Sequence, residues 1–124
     1  MIIKTRHDQE FNRLIDLLFS FEFPHKEQLR CQIENAIITR EQSDYSLVYT
    51  FYINSEFPAL PESFCGMPLS VDVVYESEYT CCELFVSKCF VSEFRLYNID
   101  GSKLNFDHFW KGDARFELVL CQEV

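Results

Sequence analysis

Cysteines and histidines are the residues here with the sharpest chemistry. Asp107-His108-Phe109-Trp110 sets an imidazole beside a carboxylate and the only tryptophan, with Cys121 downstream. A thiol within hydrogen-bond reach of an imidazole is an activated nucleophile, which would make the chain a small thiol-dependent enzyme. The spacing alone brings no cysteine to His108. The six cysteines (Cys31, Cys65, Cys81, Cys82, Cys89, Cys121) include no C-x-x-C pair. None of His7, His25 and His108 stands at zinc-site distance from another ligand, so neither a metal nor another cofactor is expected. Paired carboxylates are available in Glu76 with Glu78, or in Asp107 with Asp113. Glu76-Ser77-Glu78 reads as a turn, where water solvates both acids, whereas a tuned general acid needs burial or a close like charge. Gly66, Gly101 and Gly112 are not clustered, so no glycine loop can cradle a phosphate. The expectation is a chain without catalysis.

As a docking surface the same corner is more promising. Asp72, Tyr75, Glu76, Glu78 and Tyr79 combine acids with aromatic rings, a composition suited to a cationic partner. Over the whole chain, 20 Asp and Glu stand against 11 Lys and Arg, giving −9 and a pI near 4.7. Affinity for nucleic acid comes largely from cationic side chains on phosphates, so this balance argues against direct nucleic-acid binding. A basic protein partner fits it, and so does plain solubility.

The elements that must position these residues read as follows. Residues 8–22 place Phe11, Leu14, Ile15, Leu18 and Phe21 on one helical face, with Asp8 as N-cap. Pro24 then opens a shorter helix through about Asn35, whose Leu29, Ile33 and Ala36 share a side. The period then changes to two. Strands are predicted over 36–41 and 46–53, joined by a Gln42-Ser43-Asp44 turn, and an irregular crossing loop over 54–68 carries three of the four prolines. Further strands follow over 69–76, 79–86, 90–97 and 115–121. In the first of these, Leu69, Val71, Val73 and Tyr75 should face inward and Ser70, Asp72 and Val74 outward. The fold class is therefore α+β: two N-terminal helices on a mainly antiparallel sheet of five to six strands, in one domain over 1–124. The start MIIKTRHDQEF lacks the apolar stretch of a signal peptide, and no run reaches membrane-spanning length. A cytoplasmic chain with reduced thiols is expected, adjacent Cys81 and Cys82 pointing to opposite strand faces.

The stretch VSEFRLYNIDGSKL, residues 91–104, alternates as a half-buried strand and then turns at Ile99-Asp100-Gly101-Ser102. Gly101 suits positive φ there, and Asp100 suits a bond to nearby backbone N–H groups, so this Asp-Gly is scaffold. The same stretch follows the pattern Val/Leu-x-Glu-Phe/Leu-x-Leu/Ile-Tyr-x-x-Asp-Gly-Ser. Together with FPHKEQLRCQIENAIIT over 23–39, it resembles small bacterial immunity proteins of contact-dependent growth inhibition and related polymorphic toxin systems. The two segments cover about a third of the chain, and their motifs are mainly structural. This chain has His25 where those proteins tend to have Gly, and Lys88-Cys89 where they tend to have Asp-Gly. The resemblance implies a cytoplasmic inhibitor that occludes the active site or substrate surface of its cognate toxin domain, often a basic nuclease. A homo-oligomeric assembly protein, with its Phe-rich sheet facing a second copy, stays open beside the thiol enzyme.

Overall fold

A computed structural model of the chain describes residues 2–3, 9–105 and 114–120. Helix α1 (Gln9–Phe19) buries Phe11, Leu14, Leu18 and Phe19, with Ile15 and Phe21 packed at the margin of the core. It closes in a tightened last turn, Ser20 N–H donating to Leu17 O at 3.2 Å and Phe21 N–H to Leu18 O at 3.3 Å. Helix α2 (Lys26–Asn35) contributes Leu29 and Ile33 to the same core. Pro24 lies in the turn before α2, and the residue at its cap is His25, in the left-handed region at φ 62°.

Among the described residues, seven strands form one antiparallel sheet: β1 (Ile2–Ile3), β2 (Ile37–Gln42), β3 (Ser46–Tyr52), β4 (Gly66–Tyr75), β5 (Glu78–Ser87), β6 (Phe90–Asn98) and β7 (Arg115–Leu120). Their order is β1-β2-β3-β6-β5-β4-β7. The α+β class and the N-terminal placement of the helices are as the sequence predicts. Six strands are long, and the seventh is a two-residue edge piece. Strand β4 starts earlier than expected, at Gly66, with an irregular register between Gly66 and Leu69 around Pro68, which has no N–H to donate.

Both helices cover the face carrying Leu47, Tyr49, Phe51, Leu69, Val71, Val73, Leu84, Phe94 and Leu96. The edge of the Phe11 ring meets Tyr49 at 4.7 Å between centroids, and Phe51 lies at 5.9 Å. At the rim, Arg40 of β2 reaches Glu10 of α1 at 3.4 Å and Gln42 at 2.6 Å, with its guanidinium 5.8 Å from the Tyr49 ring centre. Such half-covered pairs contribute little to stability, but they fix how α1 sits on the sheet.

Because β3 neighbours β6 and not β4, residues 53–65 must cross the end of the sheet. Leu60 and Phe64 anchor this crossing in the core, and a 3₁₀ turn (Glu62–Phe64) closes it. Leu60 N–H donates to Cys89 O at 2.8 Å, at the β5–β6 turn. Fully buried Gln32 of α2 ties the rest together: its Nε2 donates to Pro58 O at 2.8 Å and Cys89 O at 3.3 Å, while its Oε1 accepts from Val91 N–H at 2.8 Å.

The β5–β6 turn is Lys88-Cys89, with φ 53° and 69°. Two successive left-handed residues are what a type I′ hairpin demands, and Asn-Gly or Asp-Gly serve it best. Both departures from the resembled pattern, His25 and Lys88-Cys89, thus fall where the backbone is left-handed. The Ile99–Ser102 turn follows its expected chemistry: Gly101 has φ 78°, and Asp100 Oδ1 accepts from Ser102 N–H at 2.9 Å and Ser102 Oγ at 2.6 Å. These bonds from Ser102 hold the Asp100 carboxyl below its usual pKa. Asn98 braces the turn from beneath, accepting from Thr80 Oγ1 and donating to Ser102 Oγ at 3.1 Å and Lys103 O at 2.9 Å.

Candidate functional site

On a pleated sheet, residues directly opposite each other share a face, so register alone maps the side away from the helices. One row across it runs Glu117, Asp72, Cys81, Tyr97; the next runs Val119, Ser70, Glu83, Arg95. A third places Arg115 and Val74 beside Tyr79. From β4 to β7 this face carries Asp72, Glu83, Glu93 and Glu117 against Arg95 and Arg115. Arg95 is already engaged, its Nη2 2.9 Å from Glu93 Oε2 and its guanidinium 5.5 Å from the Phe85 ring centre.

Two phenols organise the acids. Tyr79 OH donates to Asp72 Oδ2, and Tyr97 OH donates to Glu83 Oε2 at 3.2 Å. The bond to Asp72, then burial, then the charges of Asp72, Cys81 and Glu117 push the Tyr79 pKa up to about 12. Burial first, then the Glu83 and Cys81 charges and the hydrogen bonds to both, raise Tyr97 to about 12. Each phenol therefore stays protonated and remains a donor throughout the physiological range. Cys81 sits between the pairs, and burial, followed by the charges of Asp72 and Glu83, raises its thiol pKa. A protonated thiol among carboxylates is a poor nucleophile. Cys82 points to the opposite face, into the core, and burial raises its pKa well above the ordinary thiol value.

Of the five residues singled out in the sequence, four divide between the two faces of the sheet and Glu76 lies in the hairpin turn. Asp72 faces outward as predicted but is only 9% exposed, and Tyr79 bonds to it there. An outward strand position need not be a solvated one when neighbouring strands bring large side chains alongside it. Tyr75 and Glu78 pair across the hairpin on the helix-side face, the side expected for Tyr75, and both are half-buried. Glu76 is exposed in the two-residue turn with φ 53°. The structure brings together Asp72 and Tyr79, and separates them from Tyr75 and Glu78. Glu83, Tyr97 and Cys81 join the first pair, and no sequence pattern marked them, because only the β5–β6 register sets them side by side.

Asp8, Asp107, His108, Trp110, Asp113 and Cys121 lie outside the described residues. Among the described residues, no group of three or more His, Cys, Asp or Glu is placed to hold a metal ion. An open groove of about 330 Å³ runs between the two helices, lined by Ile15, Phe19, Asp16, Arg30 and Glu34 among others. Its guanidinium already stacks 4.6 Å from the Phe19 ring centre and lies 3.6 Å from Glu27. No helix among the described residues is long and apolar enough to cross a membrane. No protein-family model, curated protein or solved structure matches the chain.

Proposed function

We propose that this chain is a cytoplasmic immunity-type inhibitor that binds a cognate basic toxin domain, most simply a nuclease, and occludes its active site or substrate surface. The observation that carries the reading is the pair of phenol–carboxylate couples, Tyr79–Asp72 and Tyr97–Glu83, set on the outward face of a rigid sheet. Half-buried Glu83 and exposed Glu117 offer carboxylate lone pairs that suit a guanidinium or ammonium, while Asp72, only 9% exposed, positions the Tyr79 ring beside them. The side chains are ordered before binding, which lowers the entropy cost of association. The net charge of −9 and the resemblance in 23–39 and 91–102 support the same reading independently. In this role the chain needs no catalytic group and no cofactor.

The test is rescue of growth. A C-terminal toxin domain encoded directly upstream is expressed under tight control, with and without this protein. Rescue together with co-purification supports the inhibitor. A harmless domain, or killing that continues despite stable expression of this protein, removes it. Glu83→Lys and Glu117→Lys should each abolish rescue, whereas Glu76→Lys, at the hairpin tip, should retain it. The opposite pattern would move the contact to the tip.

A further inference from the structure

We propose that Cys65 and Cys89 are a redox modification site, closing reversibly into a disulfide that staples the crossing segment to the β5–β6 turn. Their Sγ atoms lie 3.4 Å apart although 24 residues separate them in sequence. A disulfide bond is ~2.05 Å long, so about 1.4 Å of approach remains. Each partner is held independently of the other. Cys89 occupies the second position of the two-residue turn, and its carbonyl accepts from Leu60 N–H and from the Gln32 amide. Cys65 closes the 3₁₀ turn, its N–H donating to Glu62 O at 3.1 Å. Both are only partly buried, so a small oxidant can reach them.

Selectivity follows from the placement of the other described thiols. Cys82 is sealed in the core, Cys81 lies among carboxylates on the far face, and Cys31 neighbours Asn35 on α2. The hydrogen bond to Cys65, then burial, then the charges of Cys65 and Glu62 raise the Cys89 thiol pKa. The oxidant is a low-molecular-weight disulfide such as oxidised glutathione. One cysteine, as thiolate, attacks it, forming a mixed disulfide and releasing one small thiol. The second cysteine attacks the protein-side sulfur of that mixed disulfide and expels a second small thiol. The protein loses two hydrogens, and the reagent is reduced to two thiols.

The experiment incubates the full chain with oxidised glutathione, blocks remaining thiols with an alkylating agent, and maps disulfides by mass spectrometry of peptides. The expected product has lost two hydrogens, carries a Cys65–Cys89 link, and reverts with dithiothreitol. Because closure tethers the crossing segment, its Tm should rise by roughly 5 °C. Cys65→Ser and Cys89→Ser should each remove the link and leave a glutathione adduct on the remaining partner, while Cys31→Ser should leave the link intact. Persistent separate adducts on both cysteines of the wild-type chain, or a link joining other cysteines, would overturn the proposal. So would free alkylation of both thiols after prolonged oxidation.

Discussion

Gln32 sends a fully buried amide from α2 into the core, and both ends of that amide are in use. Val91 N–H and Pro58 O are its partners, and Cys89 O, which it also reaches, keeps Leu60 N–H as a second donor. Gln32→Leu keeps helix propensity and bulk but takes the side-chain partner from Val91 N–H and Pro58 O. The expected loss is about 2–4 kcal/mol, since unpaired buried polar groups cost more than a paired bond contributes. Urea unfolding with an unchanged m value checks it, and a loss below about 1 kcal/mol would mean that water or a backbone shift replaces the amide. The phenols give a second expectation at this scale. Tyr79 and Tyr97 hold their protons to about 12, against 10 for an ordinary tyrosine. Below pH 10 both the folded and unfolded chains keep the phenol proton, so the stabilisation is fully present. As pH rises from 10 to 12, the unfolded chain releases protons that the folded chain retains, and stability falls through that window. Absorbance at 295 nm should show these two rings ionising near pH 12 in the folded chain, against 10 for an ordinary tyrosine. Tyr79→Phe should bring no late-titrating component at position 79 and leave that of Tyr97.

Among the elements, the hairpin turns carry the clearest local conflict. Glu76, Lys88 and Cys89 are L-residues held at φ 53°, 53° and 69°. The left-handed region costs an ordinary side chain roughly 1 kcal/mol, and glycine or asparagine much less. Glu76→Gly and Lys88→Asn should therefore each stabilise the fold by about 0.5–1 kcal/mol, read as a higher midpoint in denaturant. Lys88→Asn leaves the Cys89 thiol in place, so its effect is separable from the proposed staple. The helices and long strands were legible because Phe11, Leu14 and Leu18 repeat at helical spacing, and Leu47, Tyr49 and Phe51 at spacing two. The two residues of β1 are too short to show a period. Strand order was not legible: that β3 lies against β6 depends on the crossing of 53–65, which Leu60 and Gln32 hold by long-range contacts. The outward face was half legible. Alternation assigned Asp72 to it, but its bonding to Tyr79, and the joining of Glu83 and Tyr97 across β5 and β6, follow from register.

For the whole molecule, the proposed inhibitor role would draw separately on charge and on ordered side chains. A net charge of −9 acts over distances set by ionic strength, before any contact forms. In the proposed complex the Tyr79–Asp72 and Tyr97–Glu83 couples would act only at contact, their side chains already hydrogen-bonded. Salt should therefore affect the two stages of complex formation unequally. Raising it from about 0.05 to 0.5 M should slow association with a basic toxin domain by roughly tenfold or more, while dissociation changes by less than about threefold. Glu117→Gln, which removes charge and leaves both phenol–carboxylate hydrogen bonds in place, should lower the association rate and flatten its salt dependence. Tyr97→Phe keeps the charge and removes the donor to Glu83, so it should leave association nearly unchanged and speed dissociation. Stopped-flow mixing with the purified domain measures both constants. An association rate indifferent to salt would detach the acidic surface from partner recognition and leave solubility as its role. Loss confined to association in Tyr97→Phe would show that the phenols do not take part in the contact.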